Sequence, residues 1–253
     1  MGFLDDLFSE SKYLNKEKPK EKKKVDTAVG KNEAVDTAAA EPVIAESAPI
    51  IAEVKPEIPV RAATGSEPDH PVPFGYKCNW LCVKSDSPTD VIQKLGLKNF
   101  EPSNWDKGIE MAYNGYRFIS PVLDGYVLVV NYGMDLITLA PDLLDENARK
   151  FPELQYFSTH RVSEYHAWVK YINGVLIRGY GWCGCDGEVI MNIGALTPEE
   201  ERLGFANLIT SSDASENVQV PTEDHVLEIA AAWGVDTGFS GSNYPKALGY
   251  ICR

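Results

Sequence analysis

The sequence predicts an α+β domain: a largely antiparallel sheet with a C-terminal meander, helices packed on one face, and a long disordered N-terminal arm. Three observations predict it. The composition changes near Pro73: the stretch before it is built from Lys, Glu, Ala, Pro and Val with few aromatics, whereas all five Trp and all five Cys lie at or beyond Cys78. Between Leu154 and Gly194 the turn dipeptides Asn173-Gly174 and Asp186-Gly187 punctuate strand-like stretches, the pattern of successive hairpins. Helix-start signals fall between and after the strands without the regular strand–helix alternation of a parallel sheet.

The arm divides into a short amphipathic peptide, 1–12, and an extended linker, 13–73. Phe3, Leu4, Leu7 and Phe8 fall on one helical face, opposite Asp5, Asp6 and Glu10. A helix of one or two turns does not stand alone in water, so this peptide orders only against a surface. The basic segment Lys16–Lys24 follows it, which suggests weak membrane contact, although the interspersed acids would be repelled by anionic lipid. Met1–Ser11 does not read as a secretory signal, and no apolar run approaches the roughly 20 residues needed to span a bilayer. A cytoplasmic protein with reduced cysteines is the expectation.

The folded domain is expected over 74–236. Its first strand is Lys77–Lys84, where Cys78, Trp80 and Cys82 alternate with Asn79, Leu81 and Val83. Ser87-Pro88-Thr89-Asp90 starts a helix that stops at Gly96. Ser103 caps a second helix reaching about Tyr113. Phe118–Val122 is a short strand broken by Asp124-Gly125, and the apolar run Tyr126–Tyr132 is a central strand covered on both faces. Pro141 opens a helix to about Lys150. Strands near 155–160, 164–172, 175–183 and 188–193 make the meander. Thr197-Pro198-Glu199 starts a short helix, residues 210–220 form a polar loop, and Thr222 caps a last helix ended by Gly234. The Gly- and Ser-rich stretch 237–253 is expected to be loose.

Charge narrows the partner. The first 73 residues carry 10 Lys and Arg against 14 Asp and Glu, and the remaining 180 carry 14 against 23. A domain this acidic is a poor match for nucleic acid, which needs a basic face, and it suits a basic protein partner.

Candidate chemistry is sparse. His160, Glu164 and His166 form the densest ionisable constellation, which makes a hydrolase or metal-dependent enzyme an alternative. On one continuous strand, however, residues 160 and 164 stand about 13 Å apart, too far to share a metal. Cys78-x3-Cys82 lies in an apparent strand and Cys183-Gly-Cys185 beside a turn, so neither forms a zinc knuckle, and no metal or cofactor is expected. Aromatics crowd the meander. Strand alternation places Tyr165, Ala167, Val169 and Tyr171 inward, with His166, Trp168 and Lys170 toward an open face. Together with Arg161, Tyr180 and Trp182 these make the predicted partner-binding surface, because Trp, Tyr and Arg dominate protein interfaces.

The segments Asn79-Trp80-Leu81-Cys82, Pro121-Val122-Leu123-Asp124-Gly125-Tyr126 and 155–168 (QYFSTHRVSEYHAW) resemble a group of bacterial proteins similar to immunity components that accompany polymorphic toxins. The resemblance covers about 79–235 and implies no catalytic residue. Taken with the acidic charge, it implies an intracellular protein-binding domain that neutralises a partner toxin or enzyme. The third expectation is a membrane-peripheral adaptor using residues 1–24.

Overall fold

The computed structural model describes residues 65–132, 141–211 and 218–253. The N-terminal peptide with Phe3, Leu4, Leu7 and Phe8, the Lys16–Lys24 segment and nearly all of the linker lie outside the described residues.

Among the described residues nine strands form one sheet: β1 (Cys78–Lys84), β2 (Glu101–Ser103), β3 (Arg117–Ile119), β4 (Tyr126–Asn131), β5 (Glu153–His160), β6 (Tyr165–Ile172), β7 (Val175–Cys183), β8 (Glu188–Ile193) and β9 (Gly249–Cys252). Their order across the sheet is β2-β9-β3-β4-β1-β5-β6-β7-β8, and every neighbouring pair is antiparallel. The described residues also form five α-helices: α1 (Pro88–Lys94), α2 (Trp105–Tyr113), α3 (Pro141–Ala148), α4 (Pro198–Arg202) and α5 (Glu223–Trp233). The α+β class, the antiparallel sheet and the meander stand as expected.

The helices cover two faces of the sheet rather than one. Leu81, Val83, Val127 and Val129 point to a core shared with Val91 and Ile92 of α1 and Leu144 and Ala148 of α3. Trp80, Cys82, Leu128 and Val130, one residue out of phase, point to a second core with Trp105 and Ile109 of α2 and Val226, Ile229 and Trp233 of α5. The central strands are therefore apolar on both sides, which is why β1 and β4 read as continuous hydrophobic runs.

Local signals explain most element boundaries. Ser87 Oγ accepts from the Asp90 N–H at 3.2 Å, with Pro88 opening α1. Asn173 and Gly174 both take positive φ, 50° and 75°, as a two-residue type I′ hairpin between β6 and β7 requires. Thr197 and Glu200 form a reciprocal capping box at α4, and Thr222 and His225 form one at α5. Gly108 lets α2 lie on β3, since a Cβ there would come within 2.1 Å of the Phe118 ring.

Three boundaries differ from expectation. Asn104, not Ser103, caps α2, its Oδ1 accepting from the Lys107 N–H at 3.2 Å, while Ser103 ends a short strand. Chain order begins before residue 74: the Asp69 carboxylate accepts from the Trp105 and Asp106 N–H groups at 2.7 and 3.0 Å. The C-terminal stretch is not loose throughout, because β9 inserts between β2 and β3 and buries Ile251 and Cys252. Its Gly and Ser residues mark the approach, and four residues sufficed for the strand because both of its edges are paired.

Candidate functional site

Five strands set one row of side chains beneath the start of α5. Cys78 pairs with Thr159, Thr159 with His166, His166 with Trp182, and Trp182 with Val189. Neighbouring positions in such a row are about 5 Å apart, so their side chains touch. Glu223, the first residue of α5, reaches down to this row. It accepts from Thr159 Oγ1 at 2.9 Å and pairs with Arg161 Nη2 at 3.0 Å. Arg161 also lies 5.6 Å from the Tyr76 ring, and the Tyr76 hydroxyl donates to Asp224 at 3.3 Å.

His166 sits in this corner and is only 4% exposed. Burial lowers its pKa to about 4; the Glu223 charge pulls upward, and His225 and His160 push further down. It is therefore a neutral imidazole at pH 7 and a weak base. Its Nδ1 and the neighbouring Trp182 Nε1 are buried with no hydrogen-bond partner among the described residues. The Cys78 thiol is pushed up to about 12 by burial, so it is not a thiolate nucleophile.

The predicted constellation does not assemble. His160 and Glu164 flank the β5–β6 turn, Glu164 at positive φ, 48°. His160 Nδ1 pairs with Ser163 Oγ at 2.9 Å, and Glu164 packs over Gly184, whose N–H donates to the Glu164 carbonyl at 3.1 Å. Among the described residues no group of three or more His, Cys, Asp or Glu could hold a metal ion. Cys183 is buried, its thiol 3.3 Å from an Asp186 oxygen, and Cys185 is exposed; neither is bonded to another cysteine.

The predicted aromatic surface is interior. Trp168 and Tyr180 are fully buried, stacked at 4.6 Å, and Trp182 is buried beside them. The parity argument placed Trp168 opposite Tyr165 and Tyr171 correctly, but α4, α5 and the Phe205–Asn207 turn cover the face on which it lies. Trp168 Nε1 donates to Glu200 at 2.8 Å and Tyr180 Oη to the Ile209 carbonyl at 2.8 Å. Lys170 is half-buried, paired with Glu153 at 3.3 Å and 5.2 Å from the Trp233 ring. Of the six residues in that prediction, only Arg161 is exposed.

The open surface is elsewhere. At the outer end of the meander Val175, Ile177, Ile190 and Ile193 are 61%, 42%, 37% and 48% exposed. Acids flank β8 along the chain: Asp186 in the turn before it, Glu188 at its first position, and Glu199 and Glu201 on α4 just after it. The sequence did not single out these four aliphatics, since any strand in a meander alternates this way. The readable signal was the absence of Lys and Pro from 188–193, residues with which sheet edges are normally guarded.

No family model, curated protein or solved structure matches this chain. Among the described residues no helix is long and apolar enough to cross a membrane.

Proposed function

We propose that this chain is a protein-binding domain whose docking surface is the outer end of the meander. The observation that carries this reading is the exposure of Val175, Ile177, Ile190 and Ile193 on the two outermost strands of the meander, in a stretch of chain rich in acids. Exposed aliphatics along an outer hairpin mark an interaction site, and acids in the same region steer a basic partner toward them. The formal net charge of −13 reinforces the same polarity over longer range. Resemblance to immunity components supports a toxin with a basic active site as the partner class. The aromatic residues support the reading only as scaffold, by packing β6 and β7 into the core next to β8.

Affinity capture from the native host, with wild type and with the Ile177→Lys/Ile193→Lys variant, tests the proposal. A stoichiometric basic partner should be recovered with wild type and lost with the variant, while both show the same thermal midpoint to within a few degrees. Recovery of the same partner by both proteins would move the interface off this surface.

A further inference from the structure

The two edges of the sheet are unequally guarded. At one edge β2 has three residues, and Pro102 at its centre offers no N–H. At the other edge β8 has six residues, Glu-Val-Ile-Met-Asn-Ile, with neither Pro nor Lys. It pairs with β7 on one side, and among the described residues no strand lies beyond it. Alternate N–H and C=O groups of 188–193 therefore face away from β7, a ready template for another strand. Resting on the docking surface proposed above, we infer that β8 takes an added strand from the partner: an extended, basic peptide segment with alternating apolar residues.

Charge selects the basic peptide. Residues 184–202 carry five acids and one cation, Arg202. Arg178, the nearest buried cation, is fully engaged: its Nε donates to both Glu200 oxygens at 2.9 and 3.1 Å, and its Nη1 to Asn192 Oδ1 and the Ile193 carbonyl at 2.8 and 3.0 Å. These bonds also fix the end of β8 before any partner arrives. The Gly179–Ile193 and Gly181–Met191 pairings place Met191 and Ile193 on one face, while Val189 and Asn192 share the other with Trp182 and Tyr180. The apolar side chains of an added strand would rest on the Met191–Ile193 face, and its cations, on the other face, would meet Glu199 and Glu201 of α4.

A second copy of this chain is a poorer occupant. The β7–β8 register shifts between Gly181 and Trp182, leaving Ile190 as an extra residue, and a bulge of this kind twists an edge away from self-pairing. A six-residue strand is about 20 Å long and offers a few hundred Å², short of the roughly 800 Å² per partner that a stable dimer buries. Two copies would also bring like net charges of −13 together. A flexible peptide follows the bulge and needs only the strand.

The experiment uses the full-length protein and a fluorescein-labelled nine-residue peptide of alternating lysine and valine, read by anisotropy. Two further peptides are N-methylated on the odd or on the even residues, which removes the donors from one edge of the added strand and leaves charge and side chains unchanged. Saturable binding of the parent peptide, lost at least tenfold with one methylated form and kept with the other, is expected, together with a tenfold loss for Ile190→Lys. Equal binding of all three peptides would overturn strand addition while leaving docking at this surface intact. No binding of the parent peptide would also overturn it, and host capture with Ile177→Lys/Ile193→Lys then decides the broader reading separately. A dimer in light scattering that Ile193→Lys converts to a monomer would assign the edge to a second copy and overturn the peptide.

Discussion

Two polar clusters lie on the same face of β6 and β7, with the Trp168–Tyr180 rung between them, and they are finished to different degrees. Around Arg178, every charge has a partner. Glu200, fully buried, takes the Arg178 guanidinium, the Trp168 indole and the Thr197 backbone N–H, while Arg178 also reaches Gly179, Asn192 and Ile193. Around His166, Glu223 is satisfied by Thr159 and Arg161, but the imidazole Nδ1 and the Trp182 Nε1 are not. The difference comes from the covering element. Helix α4 delivers a carboxylate into the first cluster through a capping box, whereas α5 presents its carboxylate from the rim of the second. A buried network is stabilising when complete and costly when partial.

The largest effect should come from breaking the complete cluster. Glu200→Ala leaves Arg178 buried without its counter-charge and strands the Trp168 indole and the Thr197 N–H. We expect a loss of about 3–5 kcal/mol in urea unfolding. Replacing both partners, as Arg178→Met/Glu200→Leu, should cost clearly less than Glu200→Ala alone, because no unpaired charge remains. A double variant as unstable as the single one would show that geometry, not charge pairing, dominates this cluster.

The incomplete cluster should reveal itself through pH. The folded pKa of His166 is about 4, below the usual 6.5 of an exposed imidazole, so the unfolded chain binds the extra proton first. Its contribution is therefore fully present above about pH 6.5 and is lost as pH falls toward 4. Between pH 7 and 4.5 this amounts to about 2 kcal/mol of unfolding free energy. His225 shifts in the same direction, chiefly through burial, so comparison with a variant isolates the effect. His166→Phe should match wild-type stability at pH 7 within about 1 kcal/mol, since it removes an unpartnered polar atom, and should flatten the acid limb by about 2 kcal/mol. Parallel acid limbs for the two proteins would mean that His166 finds a partner in solution.

The contrast also shows what could be read from the chain. Parity fixed the two faces of β6 correctly, and Asn173-Gly174, Thr197 and Thr222 marked turn and caps, because these depend on residues within a few positions. Whether a face is open depends on what packs over it. Trp168 and Tyr180 share a pattern with exposed interface aromatics, and only the return of Glu200 and Phe205, 20 to 40 residues later, makes them core. Edge status depends on distance in sequence for the same reason. Placing β8 outermost requires knowing that β9, from the last four-residue strand, fills the opposite side of the sheet. His160, Glu164 and His166 stand close in sequence, yet the turn between β5 and β6 sends Glu164 toward Gly184 and leaves Glu223, 57 residues beyond His166, as the carboxylate at the site.

The smallest effect should come from the rim of the incomplete cluster. The Arg161 side chain is 54% exposed and that of Glu223 14% exposed, so their pairing at 3.0 Å is screened from one side only. Arg161→Ala should cost under about 1 kcal/mol and the cost should shrink in 0.5 M salt, as for other solvent-facing ion pairs. Thr159→Val should cost at least as much, because it removes the bond on the sheltered side of Glu223, where water cannot replace it. If Arg161→Ala proved the costlier of the two, Glu223 would be held from solvent rather than from the sheet, and the corner around His166 would be more open than its 4% exposure implies.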